Sequence, residues 1–262
     1  MTRKLLRFED WPQADCYAWT QATRSPDIFD DPGLGSHWSD GSKKSTLTGY
    51  ARWLGYCSNR FSDLLALPPE QRVTPDRVKT YIDHLKLEIT YGGIFNYVKP
   101  LYDAMRVMAP NQDWRWLREV YLRLEKLVVP RNKHPRMVSS HLLVDLGLGL
   151  MNKAENLSGN THMENMERAL LYRDGLIIAL LASRPIRRRN LAGIRIGINF
   201  LADSSGYTLH FGAHETKNHE VLEHPLPHWL SPYICRYLEY YRLMFQNAAH
   251  HDGLWASSQG GA

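Results

Sequence analysis

Apolar residues recur at helical spacing between residue 45 and residue 127. After Ser45, positions Leu47, Tyr50 and Leu54 repeat at intervals of three or four, which predicts an amphipathic helix with a Ser-Thr start. Similar stripes predict further helices over residues 75–91, 94–108 and 114–127, with Gly92 and Gly93 ending the first of these. Helices with such stripes and short connections pack into bundles. We therefore predict a helical domain at residues 45–128.

The regions on either side of this domain have weaker patterns. Residues 1–44 contain scattered tryptophans among turn-forming residues and predict only a short helix near residues 14–23, so they form a separate, poorly defined N-terminal segment. From Val129 to Arg136 the periodicity stops and the sequence reads VPRNKHPR. Its prolines and charges are typical of an interdomain linker at residues 129–136, and the alternative is a loop within one domain.

The pattern changes along the remainder, residues 137–262, which we predict to be a second domain. A helix capped by Ser139 or Ser140 precedes a near-continuous apolar segment, Leu176 to Ala182, which is typical of a buried helix. Short β-capable segments follow at residues 195–200, 207–211 and 221–225, before a last helix from Ser231. The predicted fold class is mainly α with a small antiparallel β-sheet.

Composition restricts the possible functions only moderately. The chain has 262 residues, 44% of them hydrophobic, and a formal charge of +5, which suits a polyanionic partner without requiring one. The three cysteines form no CxxC pair, so we expect neither a disulfide framework nor a zinc site, and a reducing intracellular setting. Apolar segments are too short to span a membrane, so no membrane partner is expected.

The C-terminal third is rich in histidine, which raises the possibility of a metal site. The histidines lie at spacings that cross predicted strands and turns and share no single helical face, and no cysteine or carboxylate set joins them. We therefore expect no metal and interpret most of them as surface or packing residues. The residues concerned are His210, His214, His219, His224 and His228.

The segment after the buried helix carries a more specific pattern. Arg187 lies two residues after Pro185. The polar residue Asn190 lies three residues after Arg187, and Leu191 follows it directly. This arrangement resembles the first active-site box of the tyrosine recombinases, the phage-integrase family. Asn190 departs from the acidic residue that the family usually has there. Downstream, Lys217 lies in a Thr-Lys context within GAHETKNHEVLE, which looks like the β-hairpin that carries the family's catalytic lysine.

The resemblance covers about residues 45–262 and implies a helical core-binding domain followed by part of a catalytic domain. It implies site-specific DNA cleavage and rejoining through a 3′-phosphotyrosine, without cofactor or metal, on double-stranded DNA. Arg187 would stabilise phosphoryl charge, and Lys217 would protonate the departing 5′-oxygen; the alternative for Lys217 is a solvated turn lysine. The family usually forms a tetramer on DNA, and a bacterial cytoplasmic, nucleoid-associated location is expected.

Other cations are candidates for DNA contacts, because phosphate groups attract exposed lysine and arginine. These candidates are Lys43, Lys44, Lys99, Arg131, Lys133, Arg188 and Arg189.

The boxes that complete the family's active site have no counterpart here. The family places a His-x-x-Arg box and the nucleophilic tyrosine beyond the region that residues 254–257 resemble, and no tyrosine follows Tyr241. We therefore assign no nucleophile and expect a recombinase truncated before those boxes. The alternative function is a catalytically inactive, recombinase-derived protein that binds DNA or regulates at DNA sites.

Overall fold

The computed structural model describes residues 5–259 and 261, in which helices predominate and three strands form an antiparallel sheet. The predicted combination of a mainly helical chain with a small antiparallel sheet is confirmed. The chain divides into two compact units between Asn132 and Lys133, a position inside the segment 129–136.

The first unit is built from helices joined by short turns. Helix α2 begins earlier than predicted because the Ser39 hydroxyl accepts a hydrogen bond from the Ser42 amide and caps it. The helices are α1 (Gln13–Thr23), α2 (Asp40–Arg60), α3 (Pro69–Arg72), α4 (Pro75–Lys86), α5 (Tyr91–Met108) and α6 (Arg115–Lys126).

Two predictions for this unit are wrong. Gly92 and Gly93 do not end a helix but lie in the first turn of α5, because the Thr90 carbonyl accepts the Ile94 amide at 2.9 Å and starts a new helix. The N-terminal residues are not a separate segment either. Trp11 and Trp19 are buried in the same core as α2 and α5, with the rings of Trp11 and Tyr50 5.2 Å apart. Their irregular spacing concealed this packing from the periodicity.

A fully buried ion pair joins three elements of the first unit. Asp15 on α1 and Arg72 on α3 have no exposed side-chain surface, and Arg72 Nη1 lies 2.5 Å from Asp15 Oδ1. The Tyr50 hydroxyl of α2 donates to the same carboxylate oxygen at 2.5 Å. Arg72 also donates to the carbonyls of Leu64 (2.9 Å), Leu65 (3.2 Å) and Leu67. Each buried charge therefore has hydrogen-bond partners, as burial requires.

The second unit combines a helical pair with the sheet. Its elements are α7 (Ser140–Asn156), α8 (His162–Ser183), α9 (Arg188–Ala192), β1 (Phe200–Asp203), β2 (Gly206–Phe211), β3 (Leu222–Pro225) and α10 (Ser231–Arg236). Helix α8 begins with a capping box, in which Thr161 and Glu164 exchange side-chain and backbone hydrogen bonds. The buried apolar segment predicted at 176–182 is the C-terminal part of α8. The part of the chain that the structure describes contains no helix of the length and apolarity needed to cross a membrane.

The sheet has the order β1-β2-β3, with Phe200 opposite Leu209 and Leu209 opposite His224. The predicted first strand, 195–200, is wrong in its bounds. Residues 195–199 form a turn in which Gly197 has φ +79°, and the Arg195 carbonyl accepts the amides of Asn199 (2.9 Å) and Phe200 (3.0 Å). Leu254, Trp255 and Ala256 then pack into the core of this unit.

Helices α7 and α8 pack backbone against backbone. A Cβ atom added at Gly147 would lie 2.6 Å from the Gly175 carbonyl oxygen and 2.9 Å from the Ala179 nitrogen. A Cβ added at Gly175 would lie 2.6 Å from the Gly147 carbonyl oxygen. Neither position has room for any side chain, so the two glycines set the distance between the helices.

We expect Gly147→Ala and Gly149→Ala, on the same helix, to have opposite effects. Gly147→Ala should lower the stability of the α7–α8 pair by about 1–2 kcal/mol, because overpacking outweighs the gain in helix propensity. At Gly149 an added Cβ meets nothing within 4 Å. Gly149→Ala should therefore raise stability by about 0.5–1 kcal/mol. Hydrogen exchange of the α8 amides measures both changes, and a stabilising Gly147→Ala would contradict the close contact.

Candidate functional site

Arg187 lies at the turn between α8 and α9. Helix α8 ends at Ser183. Pro185 follows two residues later, and because proline has no backbone N–H, it does not continue the helical hydrogen bonds. Arg187 has an extended backbone and occupies the N-cap position of α9, with its side chain exposed. Within the described residues, no ion pair involves Arg187. Its guanidinium is therefore available to a ligand.

Arg184 has a structural role that the sequence did not indicate. Its Nε donates to the Pro225 carbonyl at 2.9 Å, and its Nη1 donates to the Ser183 carbonyl at 2.9 Å. These bonds connect the C-terminal end of α8 to the last residue of β3. Arg184 therefore holds the sheet beside the turn that carries Arg187, rather than serving as an open surface cation.

A polar network fixes the start of the β2–β3 connection. Buried Asn199 donates from Nδ2 to Glu215 Oε1 at 3.0 Å and to the His210 carbonyl at 3.2 Å. Glu215 Oε2 accepts the Gly212 amide at 2.9 Å. The connection therefore leaves β2 in a defined direction, although it contains no strand or long helix.

Thr216 closes the segment that carries Lys217. Its buried hydroxyl donates to the Glu220 carbonyl at 2.7 Å and accepts the Glu220 amide at 3.0 Å. The enclosed residues make a tight turn in which His219 has φ +56°, a left-handed conformation. Lys217 is exposed within this turn. Its backbone position is thus set by a side chain next to it in sequence.

The two sequence-predicted regions meet at one cleft of about 450 Å³. One wall comes from the α8–α9 turn and includes Arg187 and Asn190; the other comes from the β2–β3 connection and β3 and includes Thr216, Asn218 and Glu220. Lys217 itself is not a lining residue, but both of its neighbours are. His224 also lines the cleft. The cleft thus offers one guanidinium, one carboxylate, one imidazole and several uncharged polar groups.

The other predicted cations have varied surroundings. Lys99 is paired with Asp103 at 2.6 Å, so a phosphate would have to compete with a carboxylate for it. The rest are exposed or half-buried, and none lines the cleft that contains Arg187. Lys43 and Lys44 lie on α2, Arg188 and Arg189 on α9, and Arg131 and Lys133 in the segment between α6 and α7.

None of the tyrosines of the second unit is among the residues that line the cleft. Burial raises the pKa of Tyr237 to about 12, and burial together with Cys235 raises the pKa of Tyr207 to about 12. A phenol with a raised pKa is a poor source of the phenolate nucleophile. In the ranges 5–259 and 261, no group of three or more His, Cys, Asp or Glu side chains is arranged to hold a metal ion.

Comparison of the chain with models of protein families, with curated proteins and with solved structures finds no significant match.

We predict that Thr216→Val loosens the turn that carries Lys217, because the Glu220 amide loses its acceptor. A hydrogen bond contributes about 0.5–1.5 kcal/mol, so exchange of the Glu220 amide should become roughly 2- to 10-fold faster. Thr208→Val on β2 is the matched control, since the Thr208 hydroxyl makes no hydrogen bond to the described residues. Equal exchange in wild type and Thr216→Val would show that other contacts hold the turn.

Proposed function

We propose that the chain binds double-stranded DNA and that its second unit carries part of a tyrosine-recombinase active site, with Arg187 and Lys217 as its site residues. One observation carries the proposal: the α8–α9 turn and the β2–β3 connection, which the motif resemblance alone associates with catalysis, both line one cleft. Segments so distant in the sequence have no local reason to meet.

The chemistry of phosphate suits the groups at this cleft. Arg187 presents a planar fork of donors that can bind two phosphate oxygens and stay charged at any physiological pH. It would stabilise negative charge that develops on the phosphoryl group in the transition state. Lys217, on its pinned turn, would donate a proton to the departing 5′-oxygen. The negative charge of Glu220 repels a phosphate. Binding would therefore require a phosphate position close to Arg187.

A second candidate function is supported by the tyrosines. None of the described tyrosines lines the cleft, and burial raises the pKa of Tyr172 and Tyr241 as well, so these two phenols are poor nucleophiles. The corresponding proposal is a recombinase-derived protein that binds DNA sites without cutting them. Arg187 would then serve as a phosphate contact only.

Duplex binding should weaken steeply with salt, since each neutralised phosphate contributes a log–log slope of about −0.9. We expect Arg187→Gln to reduce the magnitude of this slope by about 0.9 in anisotropy titrations of a labelled duplex. Arg123→Gln is the matched control, because Arg123 is paired with Glu119 at 3.1 Å and the change in net charge is the same. Equal slopes for both variants would remove Arg187 from the interface, and an absence of binding at low salt would refute the proposal.

Cleavage separates the two candidate functions. We expect no covalent adduct when the chain is incubated with a pool of nicked duplexes and separated under denaturing conditions, because no described tyrosine lines the cleft that contains Arg187. Duplex binding, measured on the same sample, provides the control for folded protein. An adduct mapped by mass spectrometry to a tyrosine would instead exclude the non-cleaving function.

A further inference from the structure

A second cleft, of about 310 Å³, lies within the first unit. Arg52, Tyr56 and Arg60 recur every fourth residue along one face of α2 and line it, together with Tyr81 and His84 from α4 and Tyr97 from α5. None of these residues belongs to the predicted DNA contacts or to the cleft that contains Arg187. The volume of this second cleft is at the lower end of the range for small-molecule sites.

Aromatic rings form the walls of this cleft. The Tyr56 ring stacks on His84 with centroids 5.4 Å apart, and the Tyr81 ring lies 4.7 Å from Tyr56. The Arg52 guanidinium lies over the Tyr97 ring, 4.3 Å from its centroid. Flat rings of this kind stack with other planar rings, including nucleobases. The walls therefore suit a planar ligand.

The charged groups of the cleft are two guanidiniums, Arg52 and Arg60, and one carboxylate, Glu88, whose Oε1 lies 4.0 Å from His84 Nε2. Arg60 Nη2 lies 3.2 Å from His84 Nδ1, and because a guanidinium can only donate, this imidazole nitrogen accepts. Arg52 makes no hydrogen bond or ion pair with the described residues besides its contact with Tyr97. The Tyr56 hydroxyl is buried and lacks a hydrogen-bond partner in the same part of the chain. A buried polar group without a partner is costly, and a ligand acceptor would remove that cost.

We infer that this cleft binds a small ligand that combines a planar aromatic ring with a phosphate group, as a mononucleotide does. The ring packs against the half-buried rings of His84 and Tyr97, which the buried Tyr56 and Tyr81 support, and the phosphate accepts hydrogen bonds from Arg52 and Arg60. The two guanidiniums outnumber the single carboxylate of the lining, Glu88, and each can bind a dianionic phosphate with paired donors. The same chemistry is available from a free nucleotide or from the phosphorylated end of a DNA strand.

Calorimetric titration with AMP tests the inference, with adenosine and inorganic phosphate as probes that lack one half of the ligand. We expect AMP to bind at least about tenfold more tightly than either, because only AMP uses both the rings and the guanidiniums. A short single strand with a 5′-phosphate distinguishes the sources. Tighter binding by the strand, in competition with AMP, assigns the site to a DNA end, and equal or weaker binding assigns it to a free nucleotide.

Variants of the cleft make the test specific. Arg52→Gln and Tyr56→Phe should each weaken AMP binding about tenfold or more, since hydrogen bonds to a charged group are strong. Arg123→Gln on α6, with the same charge change as Arg52→Gln, should leave binding unaltered. Tyr56→Phe removes a hydroxyl without a partner, so the melting temperature should stay the same or rise, which excludes unfolding as the cause. No saturable AMP binding, or wild-type affinity in Arg52→Gln, would overturn the inference.

Discussion

The close contact between Gly147 and Gly175 is the constraint on which the second unit depends. With no side chain between them, α7 and α8 approach to backbone contact and bury Met151, Tyr172 and Leu176 in one core. Because close-packed interiors leave little room for displacement, this contact fixes the position of α8 relative to α7. Arg184, directly after α8, then donates a hydrogen bond to the Pro225 carbonyl and so connects α8 to the last residue of β3. Residues of β3 and of the turn after α8 line the cleft that contains Arg187.

The first unit is organised by charge rather than by glycine. Removing the charges of Asp15 and Arg72 from water costs free energy. Hydrogen bonds offset this cost: the Asp15 carboxylate accepts from Arg72 and from the Tyr50 hydroxyl, and Arg72 also donates to three backbone carbonyls. Such a pair adds little net stability compared with apolar residues, but it tolerates few alternative arrangements. The ion pair and Tyr50 fix the positions of α1, α2 and α3 relative to one another. The face of α2 that carries Arg52 belongs to this fixed arrangement.

Sequence periodicity predicted most of the helices, because a stripe such as Leu47, Tyr50 and Leu54 depends only on local spacing. It could not predict contacts between residues far apart in the chain, such as Asp15 with Arg72. It also placed β1 too early, because the positive φ of Gly197 turns a β-capable segment away from the sheet. For the site, the motif indicated Arg187 and Lys217, whereas Arg184 and Thr216 were missed. Their roles depend on carbonyls and amides that only the folded chain brings within reach.

The two clefts differ in how strongly their arginine side chains can attract a phosphate that is not yet bound. Arg187 is exposed, so water and salt screen its charge, and its attraction for a phosphate several ångströms away is weak. It becomes strong only when the bound phosphate and its neighbours exclude water from the cleft, and the carboxylate of Glu220 raises the cost of an imperfect fit. Arg52 is half-buried against Tyr97, so part of its desolvation is already complete in the free protein. If both proposals hold, a small anion would gain from Arg52 at once, against the single opposing carboxylate of Glu88, whereas Arg187 would depend on a ligand large enough to cover it, such as a DNA duplex.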